Sequence, residues 1–412
     1  MEMDEPAARC LPLARSDPPR KGGCRMSKLR SEPDVGHTIS PYQAFVLMYQ
    51  SMYGVGILSL PRDVGKFTGN DLLWVIVLSG LTVWGIVMLN TWLSQRYPGM
   101  TIMTYAPRIL GNDKREWVGK VLTFPILAGL ATFWIMGMSI STRVFGEVVV
   151  TGVLVQTPIE AVILVFLIAS AIAGGSHPTN MAKFNEFMFP FTLIPILLLV
   201  IALVQRGELA NLFPMGEANW PLILRGVVSA TYSFAGYKIL LIFSGYYAKP
   251  YKSYQSHSTA MLSVTFIYWF ACLTSLSVFG KDEINNILYP VWESIKVVYL
   301  KELFFERMES AILAIWLIAV FCSISNLLMS LVQALMDAFH LHEKWRRWLS
   351  FSIVPIVYFI AMIPQNIKVV GVYASRLGIF ALMLALSIPA ILLPVSLIRK
   401  KKGESPSETT AS

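Results

Sequence analysis

Apolar runs of about 20 residues recur along this chain from Ile39 to Leu397. Each is long enough to cross roughly 30 Å of hydrocarbon as a helix rising about 1.5 Å per residue. Composition agrees: 55% of the 412 residues are apolar or aromatic and 14% are charged, against roughly 45–50% and about 25% in soluble domains. A soluble all-α protein would need polar stripes at helical spacing along these runs, and they are mostly absent. The chain therefore reads as an all-α polytopic membrane protein whose solvent is mainly lipid.

The runs predict ten transmembrane helices near 39–66, 71–93, 118–147, 157–174, 186–204, 221–247, 259–280, 309–336, 349–363 and 372–398. They form one transmembrane domain, 39–398. A flexible cytoplasmic tail, 1–38, precedes it and a polar cytoplasmic tail, 399–412, follows. The first tail is rich in Pro, Arg and Ser and lacks the apolar core of a signal peptide. The hydrophilic stretch 281–307, with Trp292, Tyr299, Phe304 and Phe305, is expected as amphipathic helix at the membrane interface.

The formal charge of +9 invites a nucleic-acid reading, but its distribution points to membrane orientation instead. Most of the 34 basic residues fall in alternate connections: Arg9 to Arg30, Arg96 to Lys120, Lys183, Lys249 and Lys252, Lys344 to Arg347, and Arg399 to Lys402. By the positive-inside rule that side is cytoplasmic, and both ends on one side require an even number of spans. Arg62 and Arg143 are expected to reach the outer interface. The five histidines, His37, His177, His257, His340 and His342, are placed in tails or loops on the inner side. Cys10, Cys24, Cys272 and Cys322 have neither metal-ligand nor disulfide spacing. No phosphate loop, zinc-helix motif or His/Cys cluster is present, so no catalytic residue, cofactor or metal is expected.

Two spans depart from uniform helix. The first carries Ser51-Met52-Tyr53-Gly54-Val55-Gly56-Ile57 with Pro61 beyond, and the sixth concentrates small and polar residues from Ser229 to Lys238. Unwound chain in a bilayer is tolerated only where protein or a watery cavity satisfies its amides and carbonyls, so both breaks should face the bundle interior. Two halves of five spans enter the membrane in opposite senses, which makes spans one and six equivalents. Sliding the sequence by 180 residues sets Gly56 over Gly236 and Leu60 over Leu240, as an inverted repeat of discontinuous helices requires.

Half-helix ends present free amides to an anion and free carbonyls to a cation, and an amino acid carries both charges. The candidate ligand site is thus Ser51, Gly54, Val55, Gly56 and Ile57 with Phe234, Ala235, Gly236, Tyr237 and Lys238. The competing account is that the glycines merely let helices approach. Lys238 lies about 16 Å of helix axis from Lys249, too deep to snorkel. It should pair with carbonyls or a carboxylate, or sit uncharged. It either replaces a coupling cation, binds a ligand carboxylate, or tethers neighbouring carbonyls. Ser323, Ser325 and Asn326 interrupt the eighth span and either contact a ligand or ion or bond a neighbouring helix. Phe133 and Trp134 in the third span either wall a pocket or pack.

The run Gly54-Val55-Gly56-Ile57-Leu58-Ser59-Leu60-Pro61-Arg62-Asp63-Val64, followed by Gly69-Asn70-Asp71, resembles the first-span signature of the B subunits of spore germinant receptors, the endospore germination permease family. Ala182-Lys183-Phe184-Asn185-Glu186 with Pro190 resembles that family's entry to the fifth span, and Phe234-Ala235-Gly236-Tyr237 its sixth-span break. The resemblance implies membership of the amino acid/polyamine/organocation superfamily and the inverted five-plus-five, LeuT-like fold. It implies a subunit in the inner membrane of a spore, partnered by a larger A subunit and a lipoprotein C subunit, that senses nutrients such as amino acids. Where the family pattern leads us to expect an acidic residue after Gly-Tyr, this chain has Lys238. The function expected is nutrient sensing between spans one and six. An ion-coupled amino acid transporter is the first alternative and an ion channel within the receptor the second.

Overall fold

A computed structural model describes residues 38–111, 116–297 and 308–399. The expectations for both tails, for Cys10, Cys24 and His37, and for Tyr299, Phe304 and Phe305 lie outside the described residues.

Each of the ten expected segments meets helix. α1 (Pro41–Met52) and α2 (Gly56–Thr68) make the first and α3 (Leu72–Gln95) the second; a short α4 (Ile102–Leu110) leads to α5 (Glu116–Gly152) and α6 (Ile159–Gly174). α7 (Pro178–Met188) and α8 (Ile194–Arg206) make the fifth, joined by a 3-10 turn. The sixth is α9 (Trp220–Phe234), a 3-10 turn (Ala235–Ile239) and α10 (Leu240–Phe243). α11 (Ser253–Ile284), α12 (Pro290–Lys296), α13 (Met308–Phe339), α14 (Trp345–Met362) and α15 (Ile367–Ile398) complete the described chain. By length and composition, seven helical runs among the described residues can cross a membrane, while α6 is apolar but shorter. Val165 and Ile172 on α6 and Leu197 and Val204 on α8 face outward, each more than 60% exposed. Such a band is at home against acyl chains and would drive aggregation in water.

α1 starts where local chemistry dictates. Ser40 Oγ accepts from the Gln43 N–H at 3.2 Å, Gln43 Oε1 accepts from the Ser40 N–H at 2.9 Å, and Pro41 opens the first turn. This reciprocal cap satisfies two amides that no helix turn can reach. Just before it, Ile39 forms a parallel bridge with Tyr247: the Ile39 N–H donates to Tyr246 O at 2.8 Å and the Ala248 N–H to Ile39 O at 3.0 Å. The start of the first span is thereby tied to the end of the sixth.

At the opposite end, Asp71 is fully buried and takes three donors. Its carboxylate accepts from the Gly216 and Ala218 amides at 2.6 and 2.7 Å and from Trp74 Nε1 at 2.9 Å. The loop leading into α9 is anchored on this one side chain. Between these ends α1 packs on α7, α11 and α13, and α2 packs on α9 and α11, which sets the first span at the centre of the bundle.

Three expectations need correction. His257 is not in a loop: α11 begins six residues before the expected start, so His257 is drawn into the bundle with no exposure. Its Nδ1 lies 2.8 Å from Thr91 Oγ1 and its Nε2 2.8 Å from the Tyr247 hydroxyl, which satisfies both ring nitrogens. Arg143, 7% exposed, pairs with Glu147 one turn on at 2.8 Å, a carboxylate on its own helix that neutralises it. The short helix α12 is not spread on an interface; Trp292 is buried, and Ser294 Oγ lies 3.2 Å from Ser275 Oγ on α11. Its apolar residues find a better surface against α2, α8 and α11. Finally, α13 is continuous through Ser323, Ser325 and Asn326; the Ser323 hydroxyl and the Asn326 amide bond outward to neighbouring helices and leave the helix ladder intact.

Candidate ligand site between the first and sixth spans

The first span is broken where glycine falls mid-span. Tyr53, Gly54 and Val55 leave the helix; the Tyr53 N–H still reaches Tyr49 O at 2.8 Å and the Gly54 N–H turns back to Met52 O at 2.9 Å. α2 then restarts at Gly56. The first amides of a helix have no partner within it, and those of Gly56 and Ile57 meet no acceptor from a neighbouring segment among the described residues. Two N–H groups thus stand at mid-span with the positive end of a helix dipole behind them.

The sixth span behaves differently from expectation. Residues 234–237 do not unwind: Phe234 ends α9, and Ala235, Gly236, Tyr237 and Lys238 run on as a 3-10 turn. The tighter winding keeps backbone groups bonded at i to i+3, so this span narrows without exposing a row of free carbonyls. The gain is proximity. A β-carbon placed on Gly236 would collide with the Ser51 carbonyl oxygen, and one placed on Gly56 would lie 2.9 Å from Ser233 Cα. Glycine is required at both positions for the two spans to touch backbone to backbone.

Side chains from three other helices lock this contact. Ser51, in the last turn of α1, accepts from Ser323 Oγ at its carbonyl (3.1 Å) and from Asn326 Nδ2 at its hydroxyl (2.8 Å). Asn326 also exchanges two amide hydrogen bonds with Asn185 of α7, at 2.9 and 3.0 Å. Tyr268 of α11 sets its hydroxyl 2.7 Å from Met52 O and 2.9 Å from Ser233 O, sharing one proton between the first and sixth spans. Ser233 Oγ in turn donates to Gly56 O at 2.9 Å.

Of the candidate residues, Ser51, Gly54, Gly56, Gly236, Ser323 and Asn326 meet in this one knot. Ser323 and Asn326 act there by bonding the neighbouring helix. Gly54 faces Ser323, whose Oγ would lie 2.9 Å from an added β-carbon. Val55 and Ile57 are buried beside the break, and Ile57 joins Tyr53 in a narrow apolar cleft that α12 and α13 close with Trp292 and Trp316. Phe133, Tyr237 and Lys238 form a second group. Lys238 Nζ stands 4.4 Å from the Phe133 ring centroid and 4.7 Å from that of Tyr237; of the expected surroundings, neither a paired carbonyl nor a paired carboxylate is found among the described residues. Phe234 packs on Tyr268 at 4.8 Å between centroids. Trp134 and Ser325 are fully buried, each with a polar atom that finds no partner among the described residues.

Three contributors escaped sequence reasoning. Asn185 lies within the fifth-span motif and Ser233 within the polar run of the sixth, so both carried a signal. Tyr268 carried none, being one aromatic residue among several in its span. No group of three or more His, Cys, Asp or Glu side chains converges among the described residues.

A bundle of apolar helices whose first span breaks beside a narrowed sixth defines the LeuT-like class of membrane transport folds. The crystal structure of MhsT in complex with L-phenylalanine shares this fold, with a TM-score of 0.56 over 88% of this chain and 92% of that chain at 16% identity. The family described as spore germination protein matches residues 38–370, and the chain belongs to that family. Among its relatives are spore germination protein YndE of Bacillus subtilis (strain 168), 28% identical over 88% of this chain and 97% of its own length, and spore germination protein B2 of the same organism, 23% identical over 89% and 97%. Spore germination protein GerQB of Bacillus cereus is 22% identical over 84% and 92%. The chain is thus an integral membrane protein of permease-like fold in a spore germination family.

Proposed function

We propose that this chain is the membrane-embedded subunit of a nutrient germinant receptor. A small nutrient, an amino acid in the first instance, binds at the break of the first span against the 3-10 turn of the sixth, and its differential affinity for one arrangement of the bundle biases the receptor toward it. Larger A-type and lipoprotein C-type subunits read the change, and the chain works in the inner spore membrane with both ends in the cytoplasm.

The observation that carries this reading is the pair of unpartnered amides on Gly56 and Ile57 at mid-span, a place where lipid offers nothing to satisfy them. A carboxylate does. A screen of amino acids and sugars for germination, in spores with and without this chain, tests it: a nutrient response that depends on the chain supports sensing. A response spectrum unchanged by deletion removes it.

The transport-type fold favours a second reading, an amino acid permease coupled to protons or another ion. Labelled amino acid accumulating inside liposomes that carry the isolated chain supports transport. Saturable binding without flux supports sensing, and single-channel currents from the assembled receptor would assign it a channel instead.

A further inference from the structure

Lys238 is 2% exposed, and its ammonium lies over the faces of Phe133 and Tyr237. Aromatic faces attract a cation through their quadrupole, but a ring has no net charge to cancel it. The described ion pairs lie elsewhere: Lys66 with Asp63, Arg143 with Glu147, Lys281 with Glu217, Lys296 with Glu293 and Arg346 with Glu343. Among the described residues neither an acidic side chain nor a hydrogen-bond acceptor reaches Lys238 Nζ. A group with three N–H donors therefore stands in the interior of a membrane bundle with only ring faces around it.

Packing does not account for an amine here. A methionine or leucine would fill the same space between α5 and the 3-10 turn, and an ionisable side chain at this depth is costly unless something pairs with it. The two rings fix where the ammonium sits and exclude water around it. An arriving anion would thus meet an oriented, poorly screened donor.

We infer that Lys238 joins the Gly56 and Ile57 amides in recognising the ligand's carboxylate, which pairs with Nζ beside Phe133 and Tyr237, and so selects small ligands that carry one. This assignment rests on the sensing reading above and adds the side chain that makes a carboxylate a requirement. Because the group is enclosed, pairing needs the bundle to open, and the carboxylate then stabilises whichever arrangement lets the two charges meet. The contact is an ion pair; no covalent bond is made or broken.

The test compares binding of L-alanine, L-valine and L-phenylalanine with binding of the three matching amino amides, by calorimetry on the full chain in liposomes. The amides keep side chain and amine but lose the anion. We expect at least one acid to bind about tenfold or more tighter than its amide, the scale of a charge-assisted contact. Lys238→Gln should bring acid and amide to within about twofold of each other, while Lys238→Arg should keep the preference. Equal affinity for acid and amide on the unaltered chain, a comparison that needs no variant, overturns the assignment, as does a preference that survives Lys238→Gln. Binding of an uncharged sugar that Lys238→Gln does not alter also overturns it but leaves sensing intact. If neither acids, amides nor sugars bind the unaltered chain, the sensing reading itself falls and this assignment with it.

Discussion

The carbonyl of Ser51 rests against the α-carbon of Gly236, and no side chain fits between them. This contact joins the last turn of α1 to the 3-10 turn of the sixth span. Anything that changes the angle between these two segments must pass through it.

Gly236→Ala should therefore be among the most disruptive single-methyl additions in the chain. The new β-carbon meets backbone, which cannot rotate away, and overpacking of this kind costs roughly 1–3 kcal/mol. Gly85→Ala is the matched control, since a β-carbon there meets nothing within 4 Å and alanine favours helix by up to about 1 kcal/mol. Thermal unfolding in detergent should drop for the first and hold or rise for the second. Equal midpoints would mean that the two spans are not in backbone contact.

Tyr268→Phe removes a hydroxyl whose proton is shared by Met52 O and Ser233 O, and leaves the ring packed at a tilt against Phe234. Losing a buried partner costs about 1–3 kcal/mol. The proposed function adds a second expectation: the nutrient concentration for half-maximal germination should shift, because this hydroxyl ties the first span to the sixth. A variant destabilised but with an unmoved dose curve would restrict Tyr268 to a structural role.

Asp71→Ala takes the acceptor from two backbone amides and one indole N–H at once. Hydrogen bonds to a charged group contribute about 1.5–3 kcal/mol each and are not additive, so a loss of roughly 3 kcal/mol or more is expected. Protease susceptibility should rise at residues 207–219, the loop anchored on this carboxylate. Unaltered cleavage there would show that the loop holds without it.

Glu343 lies between α13 and α14 and takes the guanidinium of Arg346 on both oxygens, at 2.8 and 2.9 Å. Those hydrogen bonds hold its carboxyl below the usual glutamate range. A depressed folded value means that its stabilisation is complete above the unfolded carboxyl's value of about 4.3 and fades as pH falls through the lower folded value. The carboxylate is 65% exposed, so the contribution is small, under about 1 kcal/mol. Unfolding midpoints of Glu343→Gln and the unaltered chain should differ at pH 7 and converge toward pH 3. A constant gap across that range would refute the ion-pair account.

The membrane class, the position of every long helix and the break after Met52 were all legible in the residues. Each rests on local physics: apolar length against bilayer thickness, and glycine mid-helix beside Pro61. Helix ends were misjudged by up to eight residues, as at α7, because polar residues beyond the hydrocarbon still wind into helix when a neighbouring helix covers them. The same cause drew His257 inside.

What sequence settled by itself was solvent and span, because hydrophobicity and helical rise are properties of each segment alone. Which surfaces meet was decided only by tertiary packing: that the sixth span tightens instead of opening, that Asn185 bonds Asn326, and that Lys238 meets two rings and, among the described residues, no carboxylate. The bonds that lock the first span to the sixth and to α13 join partners 35 to 275 residues apart along the chain, from Tyr268 with Ser233 to Asn326 with Ser51. A segment's own residues encode what it can bond, and the bundle determines which of those bonds it makes.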